Sequence, residues 1–370
     1  MRVCLVGQGG REHALAEALA RTARVTVCPG NPGMVRDSGP GYGTDGRDAA
    51  LDGLGVTLSD LPPEQVEADL VVIGPEQPLV DGLADRLRAR GRMVFGPGVD
   101  GARLEGSKAF MRDVLAEARV AAPAYGVFDE DMKDEALAFL RTLDAPWVVK
   151  TDGLAAGKGV LVTDNRFEAE DDVAAKLSGR TFGEAGRKVV IEEGLTGTEC
   201  SLMVVTDGTR LVPLAPAQDF KRLEEGDEGP NTGGMGAYTP VASVDDRLVD
   251  RILDEAVEPT LAALRRRGID YRGVLYAGLM LTDEGPKVLE YNVRFGDPET
   301  QVVLARFDDD LTGLLAEAAS GRLRSDPRPS PLASVCVVMA AANYPADPRT
   351  GDVIEGLDAV AEIDDVRVFH

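Results

Sequence analysis

The chain is poor in histidine, cysteine, lysine and tryptophan, and these shortages exclude several kinds of site. Its 370 residues include two histidines, four cysteines and one tryptophan, so a histidine-rich metal centre is excluded. The cysteines lie far apart without the paired spacing of a zinc site, which favours buried free thiols. No apolar run approaches the length that spans a bilayer, and the first residues lack a signal peptide's cleavage pattern. We therefore expect a cytoplasmic protein with no membrane partner.

Acidic residues outnumber basic residues by 63 to 40, which gives a formal net charge of −23. This charge opposes non-specific binding to nucleic acid or anionic lipid, so we expect small-molecule partners and no nucleic acid. Only eight of the basic residues are lysines, and five of these eight lie in the motif-like segments described below. The sequence does not determine the oligomeric state; a monomer is expected, with a homodimer as the alternative.

The length and the pattern of apolar residues predict more than one domain. Up to about residue 100, short apolar strands alternate with helices, which predicts a parallel, doubly wound α/β sheet. From Leu104 to about Gln301 the pattern is that of a mixed α+β domain. Helices are predicted at Pro78–Arg90 and Arg247–Arg267. A proline-rich linker around Asp326–Pro331 then leads to a small terminal unit.

The most informative segment is a strand that ends in polar residues. Glu290 and Asn292 are two residues apart, so a strand places both side chains on one face, together with Arg294. A carboxylate and an amide oxygen on one face suit Mg²⁺ that carries nucleotide phosphates, and arginine can bind a phosphoryl group or a carboxylate. The alternative is a half-buried strand with a solvated polar face.

A second segment, 148–160, places Lys150 at the end of a strand, before a loop rich in small residues that contains Gly157 and Lys158. Such a loop can fold closely over phosphates and present N–H groups to them, and the lysines add charge. It is not a Walker A loop, and a flexible surface hairpin is the alternative. The acidic residues near 191–199 could bind an adenine or a ribose, or form a solvated edge.

A third segment combines Asp219 and Lys221 with a glycine-rich run at 229–236, in which four of eight residues are glycine. We do not expect a regular element to form there. The run suits close approach of the backbone to a small ligand, or a lid, and an ordinary flexible loop is the alternative.

Together these segments resemble the ATP-grasp family, and within it the ligases that join glycine to 5-phosphoribosylamine. The matching pieces, in family order, are GQGGREHA at 7–14, PGNPG at 29–33, GPEQPLVDGL at 74–83, LEGSKAF at 104–110, VVKTDGLAAGKGV at 148–160, AQDFKR at 217–222, GPNTGGMGAY at 229–238 and YNVRFGDPETQ at 291–301. Several ATP-grasp ligases share the central pieces, whereas GGREHA, PGNPG and GPNTGGMGAY distinguish this group.

The resemblance implies an ATP-grasp fold with three domains. These are a Rossmann-like substrate-binding domain at 1–103, an ATP-grasp domain at 104–325 with a lid subdomain at about 122–190, and a small C-terminal domain at 326–370. The family continues several dozen residues beyond the point where this sequence stops, so we expect an incomplete terminal domain with an unpaired strand edge.

The resemblance also implies an activity in purine biosynthesis, with ATP and Mg²⁺ (or Mn²⁺) as cofactors and glycine and 5-phosphoribosylamine as substrates. ATP would phosphorylate the carboxylate of glycine, and the amine of 5-phosphoribosylamine would then displace phosphate. Positioning and charge compensation carry most of such a phosphoryl transfer.

Roles for individual residues follow from the same resemblance. Lys150 and Arg294 would be catalytic, and Glu290 and Asn292 would bind the metal. ATP would contact Lys108, Lys150, Gly157, Lys158, Glu192, Glu193, Leu195 and Glu199. The substrates would contact Gly9, Gly10, Arg11, Glu12, Asn31, Glu76, Asp219, Lys221, Asn231, Thr232, Gly233, Arg294 and Asp297.

Two other functions compete with this interpretation. A dehydrogenase is suggested by the glycines after the first strand, but Glu12 stands where the third glycine of a dinucleotide fingerprint belongs. A non-catalytic nucleotide-binding module would result if an incomplete terminal domain prevented closure. Release of ADP that depends on glycine separates the ligase from both.

Overall fold

A computed structural model describes residues 1–36, 55–154, 159–179, 187–226 and 228–370. Within these ranges the strands form four sheets, of which the first is parallel and the others are antiparallel. None of the helices described is long and apolar enough to cross a membrane.

The N-terminal part is the doubly wound parallel sheet that the sequence predicted. Its elements are β1 (Arg2–Gly7), α1 (Gly10–Ala20), β2 (Arg24–Pro29), α2 (Gly33–Arg36), β3 (Gly55–Leu58), β4 (Leu70–Ile73), α3 (Glu76–Val80), α4 (Leu83–Ala89), β5 (Met93–Phe95), α5 (Val99–Gly106) and α6 (Lys108–Ala118). The strand order is β3-β2-β1-β4-β5. The order reverses between β1 and β4, and ligands bind open α/β sheets beyond the strand ends at such a point.

A second sheet forms a separate layer that we call the lid sheet. Its elements are β6 (Tyr125–Asp129), α7 (Lys133–Leu140), β7 (Trp147–Thr151), β8 (Val160–Thr163), α8 (Arg166–Leu177) and β9 (Lys188–Glu193). The strand order is β6-β9-β7-β8. The two helices and the sheet enclose their own hydrophobic cluster, which includes Val149, Val173 and Ile191. The single tryptophan of the chain, Trp147, belongs to this layer.

The remaining strands form two sheets beside the lid sheet. The elements are β10 (Thr198–Thr206), β11 (Leu211–Pro213), β12 (Gln218–Glu224), β13 (Glu228–Thr239), α9 (Asp246–Ile252), α10 (Glu258–Arg266), β14 (Gly273–Thr282), β15 (Gly285–Asn292), α11 (Glu299–Leu304), α12 (Leu311–Ala319), β16 (Ser334–Val337) and α13 (Leu357–Ala361). The orders are β11-β10-β14-β15 and β12-β13-β16. Because β16 pairs with β13, this sheet crosses the proposed domain boundary at 326.

Two predicted helices differ from the expectation. The stretch from Pro78 to Arg90 forms α3 and α4 rather than one helix, because Gly82 adopts a φ of +79°, a conformation that favours glycine and interrupts a helix. The stretch from Arg247 to Arg267 is helical, but α9 and α10 are joined by a π-helical turn at Leu253–Val257.

The glycine-rich run at 229–236 is part of strand β13, so the expectation that no regular element forms there was wrong. Asn231 pairs with β12, and Gly236 pairs with both β12 and β16. Between them the register shifts, and the N–H groups of Gly233 and Gly234 donate to the hydroxyls of Tyr344 and Thr232. The glycines permit close contacts that a side chain would prevent. A Cβ atom on Gly234 would lie 2.5 Å from Pro298, and one on Gly236 would lie 2.6 Å from the carbonyl oxygen of Cys336. Glycine is required here by neighbouring chain segments, which sequence alone does not identify.

The lid sheet is attached to the rest of the molecule at the start of α6. Asp152, which follows β7, accepts hydrogen bonds from the backbone N–H of Ala109 and the hydroxyl of Ser107, both at 3.2 Å. Ser107 is also the N-cap of α6, since its hydroxyl accepts from the N–H of Phe110. A carboxylate at a helix N-terminus is favoured by the exposed N–H groups and the helix dipole.

We expect Asp152→Ala to loosen this attachment and to cost about 1 kcal/mol, as for the loss of a helix cap. Trp147 lies five residues away in β7, so its fluorescence during a urea titration reports on the lid sheet directly. The matched control is Asp164→Ala, because Asp164 is exposed in the same layer and should leave the titration unchanged. Equal midpoints for the two variants would contradict the role of Asp152.

Candidate active site

A cleft of about 1920 Å³ lies between the lid sheet, the two antiparallel sheets beside it and residues that follow the parallel sheet. This volume exceeds the roughly 300–1,000 Å³ of a site for one small ligand. The cleft therefore has room for more than one reactant.

Most of the predicted site residues line this one cleft. They are Arg11, Glu76, Lys108, Lys150, Glu192, Glu193, Leu195, Glu199, Asp219, Lys221, Asn231, Thr232, Gly233, Glu290, Asn292, Arg294 and Asp297. Four others, Gly9, Gly10, Glu12 and Asn31, are not among its lining residues. Gly157 and Lys158 lie outside the described residues.

The pair Glu290 and Asn292 lies at the end of β15, next to a β-bulge. On β14, Gly278 pairs with Glu290 and Leu279 pairs with Val288, so Leu289 of β15 has no partner on β14. Among the described residues, no lysine or arginine forms an ion pair with the Glu290 carboxylate. Burial raises the pKa of Glu290, but the charges of nearby lysines and Arg294 lower it more, so the net pKa lies below its ordinary value. This carboxylate and the buried Asn292 amide fit Mg²⁺, which binds few protein oxygens and shares substrate phosphates.

The two predicted phosphate-binding lysines have different partners. The Nζ of Lys108 donates to the carbonyl oxygen of Gly153 at 2.9 Å, and burial, followed by the nearby Lys150 charge, lowers its pKa. The Nζ of Lys150 lies 2.7 Å from Oε2 of Glu192. The other oxygen of Glu192 binds Arg112, so this carboxylate, predicted to contact ATP, is already occupied by two cations.

Arg294 is held between two carboxylates. Its Nε donates to Oε2 of Glu76 at 3.2 Å, and its Nη2 lies 3.1 Å from Oε1 of Glu105. Burial raises the pKa of Glu105, and the charge of Arg294 opposes this effect only in part. These contacts fix the guanidinium in the cleft while leaving 18% of its side chain exposed there.

Asp219 and Lys221 lie side by side on β12, as their spacing of two residues predicts. The Nζ of Lys221 is 3.0 Å from Asp219 and 2.8 Å from Oε2 of Glu199. Burial raises the pKa of Asp219, and Lys221 counteracts this only in part. Opposite charges in contact can bind the ammonium and the carboxylate of an amino acid.

The turn after β1 is closed by a side chain from its own helix. Oε2 of Glu12 accepts hydrogen bonds from the backbone N–H groups of Gly9 at 2.8 Å and Gln8 at 3.2 Å. A Cβ atom on Gly7 or Gly74 would lie within 2.4 Å of Glu12, so glycine is required at both positions. Glu12, predicted to contact a substrate, therefore satisfies these two N–H groups of its own turn.

The sequence did not predict three charged residues at the cleft: Glu105, which lines it, and Arg112 and Glu299, which are buried and do not line it. Glu105 lies in the LEGSKAF segment at 104–110, but nothing in the neighbouring sequence indicates that it pairs with Arg294. Oε1 of Glu299 accepts from the hydroxyl of Tyr276 at 2.7 Å, while Oε2 has no hydrogen-bond partner among the described residues. Burial raises the pKa of Glu299. A charged residue on a helix is ordinarily exposed, so the pattern alone did not predict their burial.

The cleft thus brings together the lysines predicted to bind phosphate groups, the Glu290 and Asn292 oxygens predicted to bind a metal, and an opposite-charge pair of a kind that suits an amino acid. With the lid sheet above it, this arrangement defines an ATP-grasp ligase. The family model of the phosphoribosylglycinamide synthetase N domain matches residues 1–105, and that of the ATP-grasp (A) domain of the same enzyme matches residues 106–300. The chain belongs to the phosphoribosylglycinamide synthetase family.

Individual relatives agree with this assignment. A phosphoribosylamine–glycine ligase of Streptomyces coelicolor is 50% identical over 371 residues, which cover 98% of this chain and 84% of the relative. The crystal structure of a phosphoribosylamine–glycine ligase from Thermotoga maritima matches with a TM-score of 0.80 and 33% identity, over 94% of this chain and 83% of the other.

A more distant structure shares the fold alone. The biotin carboxylase domain of a Hydrogenobacter thermophilus 2-oxoglutarate carboxylase, solved with MgADP, has a TM-score of 0.63 and 14% identity over 90% of this chain and 73% of the other. The predicted ATP-grasp fold is therefore confirmed. ATP and a divalent metal are the cofactors of this class in general.

Proposed function

We propose that this ligase joins glycine to 5-phosphoribosylamine and converts ATP to ADP and phosphate, giving glycinamide ribonucleotide for purine biosynthesis. The observation that carries the proposal is the convergence of the predicted phosphate, metal and amino-acid residues on one cleft. The names of relatives that cover nearly the whole chain support the same choice of substrates.

The nucleotide would lie between the lid sheet and β15. Lys108 and Lys150 would bind its phosphates, and the backbone at Glu193 and Leu195 would contact the adenine, with Glu199 beside the ribose. Glu192 supports this end of the cleft through its ion pair with Lys150. Glu290 and Asn292 would hold Mg²⁺, or alternatively Mn²⁺, and such an ion neutralises charge on the transferring phosphoryl group. The loop with Gly157 and Lys158 is proposed to cover the phosphates.

Glycine would bind at β12, with its ammonium on Asp219 and its carboxylate on Lys221. Thr232 supports this place, because its hydroxyl donates to the carbonyl oxygen of Lys221 at 2.8 Å. Asn231, Gly233 and Asp297 line the cleft beside it. Lys221 already forms ion pairs with Asp219 and Glu199. The carboxylate of glycine would therefore replace part of these contacts with the Lys221 ammonium.

The phosphoribosyl group would lie near the ends of β1 and β4. Arg11 lines the cleft there, and its Nη1 donates to the carbonyl oxygen of Phe295 at 3.3 Å. Arg11, the turn at Gly9 and Gly10, and Asn31 would bind the phosphate, while Glu76 would face the ribose. Glu12 satisfies two of the turn's N–H groups, and its Oε1 pairs with Nε of Arg11 at 2.5 Å. We therefore propose that Glu12 shapes this turn and fixes Arg11, whose terminal N–H groups would supply the positive charge for the phosphate.

In the reaction, a carboxylate oxygen of glycine would attack the γ-phosphorus of ATP, and ADP would leave. The amine of 5-phosphoribosylamine would then attack the acyl carbon of glycyl phosphate, phosphate would leave, and the amine would lose a proton. Arg294 would stabilise the transferring phosphoryl group in the first step and the acyl phosphate, with its departing phosphate, in the second, since its two carboxylate partners fix its position before charge develops.

A coupled ADP assay with glycine and freshly prepared 5-phosphoribosylamine tests the proposal, with each substrate omitted in turn. We expect ADP release to require glycine and sustained turnover to require both. ADP release without glycine would indicate an ATPase, and ATP binding without any ADP release would indicate a non-catalytic nucleotide-binding module.

The segment from Gly153 to Gly159 is expected to become protected when ATP and Mg²⁺ bind. Fixing its glycines is entropically costly, and phosphate contacts can offset that cost. Hydrogen exchange of a peptide that covers the segment should slow on addition of nucleotide, whereas a peptide from α12 should not change. Equal exchange with and without nucleotide would contradict a closing lid.

A further inference from the structure

Arg112 is a fully buried arginine on α6 that does not line the cleft. Its Nε donates to Oε1 of Glu192 at 2.7 Å, and its Nη2 lies 2.5 Å from the same oxygen. Its Nη1 donates to the carbonyl oxygen of Val288 at 3.1 Å, and its Nη2 also donates to that of Leu289 at 3.0 Å. Arg112 therefore links α6, the lid sheet and the bulge that precedes Glu290.

Glu192 is shared between Arg112 and Lys150, which makes a buried group with two positive charges and one negative charge. Oε2 of Glu192 lies 2.7 Å from Nζ of Lys150, and this Nζ is also 3.4 Å from the carbonyl oxygen of Leu289. Burying an uncompensated charge is unfavourable. Of the two cations in this group, only Lys150 lines the cleft, so the excess positive charge is available to a ligand there.

We propose that Arg112 is a positioning residue for the nucleotide site. It binds one of the two oxygens of Glu192 and compensates part of the negative charge of this carboxylate, so that the positive charge of Lys150 remains available to a phosphate of ATP. This inference rests on the proposed phosphate-binding role of Lys150. Without Arg112, Glu192 would bind Lys150 alone and neutralise it. The affinity for ATP would then fall although Arg112 touches no ligand, because charge interactions are strong where water is excluded.

The test compares Arg112→Met with the double variant Arg112→Met/Glu192→Gln, using calorimetry with ATP and Mg²⁺ and no glycine. The single variant should bind ATP at least about tenfold more weakly, since Glu192 then neutralises Lys150. The double variant should recover to within about threefold of the parent protein, because Lys150 no longer faces a carboxylate. The control is Arg141→Met, which removes an exposed arginine from the lid sheet and should leave affinity unchanged.

If Arg112 had only a structural role, the double variant would bind ATP no better than the single variant, because a second substitution in the same buried group would not restore binding. A double variant that binds ATP no better than the single variant therefore overturns the proposal. Parent-like affinity of the single variant overturns it as well.

Arg112→Lys covers the case in which Arg112→Met does not fold, as judged by Trp147 emission and the thermal midpoint. It keeps the charge beside Glu192, so ATP affinity should stay within about threefold of the parent. A tenfold loss in this variant would overturn the proposal. If the parent protein binds no ATP, the nucleotide site itself fails; if it binds ATP and the variants do not follow this order, only the role of Arg112 fails.

Discussion

Arg294→Ala is expected to lower turnover by about a hundredfold or more, on the order of what one preorganised charge supplies to a transition state. The affinity for ATP should change little, because Arg294 is proposed to act on the transferring phosphoryl group and not on the adenine or the ribose. Steady-state turnover and calorimetric ATP binding, measured on the same preparation, separate the two effects.

The substitution also leaves Glu105 buried without its ion-pair partner, which can destabilise the protein by itself. The matched control is the double variant Arg294→Ala/Glu105→Gln, in which no unpaired carboxylate remains at that position. We expect the thermal midpoint to recover in the double variant while turnover stays low. Turnover within about threefold of the parent in either variant would rule out the catalytic role, because the activation free energy would then have changed by much less than a tenfold loss of rate requires.

Glu290→Gln is expected to raise the metal concentration needed for half-maximal activity by about tenfold or more, because Mg²⁺ is held by few protein oxygens and loses a charged one. The shape of the side chain is preserved, so the fold should not change. Turnover at high metal concentration should recover in part, since Asn292 and the nucleotide phosphates, the other proposed ligands of the ion, are unchanged by the substitution.

Glu284→Gln is the matched control for this experiment. Glu284 lies in the exposed turn just before β15 and pairs with Lys287, so the same substitution there should leave the metal titration unchanged. Identical titrations for Glu290→Gln and the parent protein would mean that β15 contributes only structure.

The candidate site could be predicted from the sequence where its residues are close together in the chain. Glu290 and Asn292 lie on β15 two residues apart, as a strand that repeats every two residues predicts. Arg294 lies in the bend after the end of β15, so the strand rule does not explain its position, although all three residues line the cleft. Asp219 and Lys221 follow the same rule. The glycines after the first strand lie at the end of β1, but the N–H groups of Gln8 and Gly9 are occupied by Glu12, whose side-chain direction has no signature in the pattern.

The sequence by itself determined the parallel N-terminal sheet, the order of the elements and the family, because periodicity and short motifs are local properties of the chain. Only the tertiary structure decided which charges are paired. Arg294 meets Glu76 and Glu105, and Arg112 meets Glu192, across separations of 80 to 218 residues. The strand at the glycine-rich run was likewise decided by its neighbours β12 and β16. Such partners are set by the packing of distant elements, and it is this packing that makes a buried charge or a close backbone contact stable.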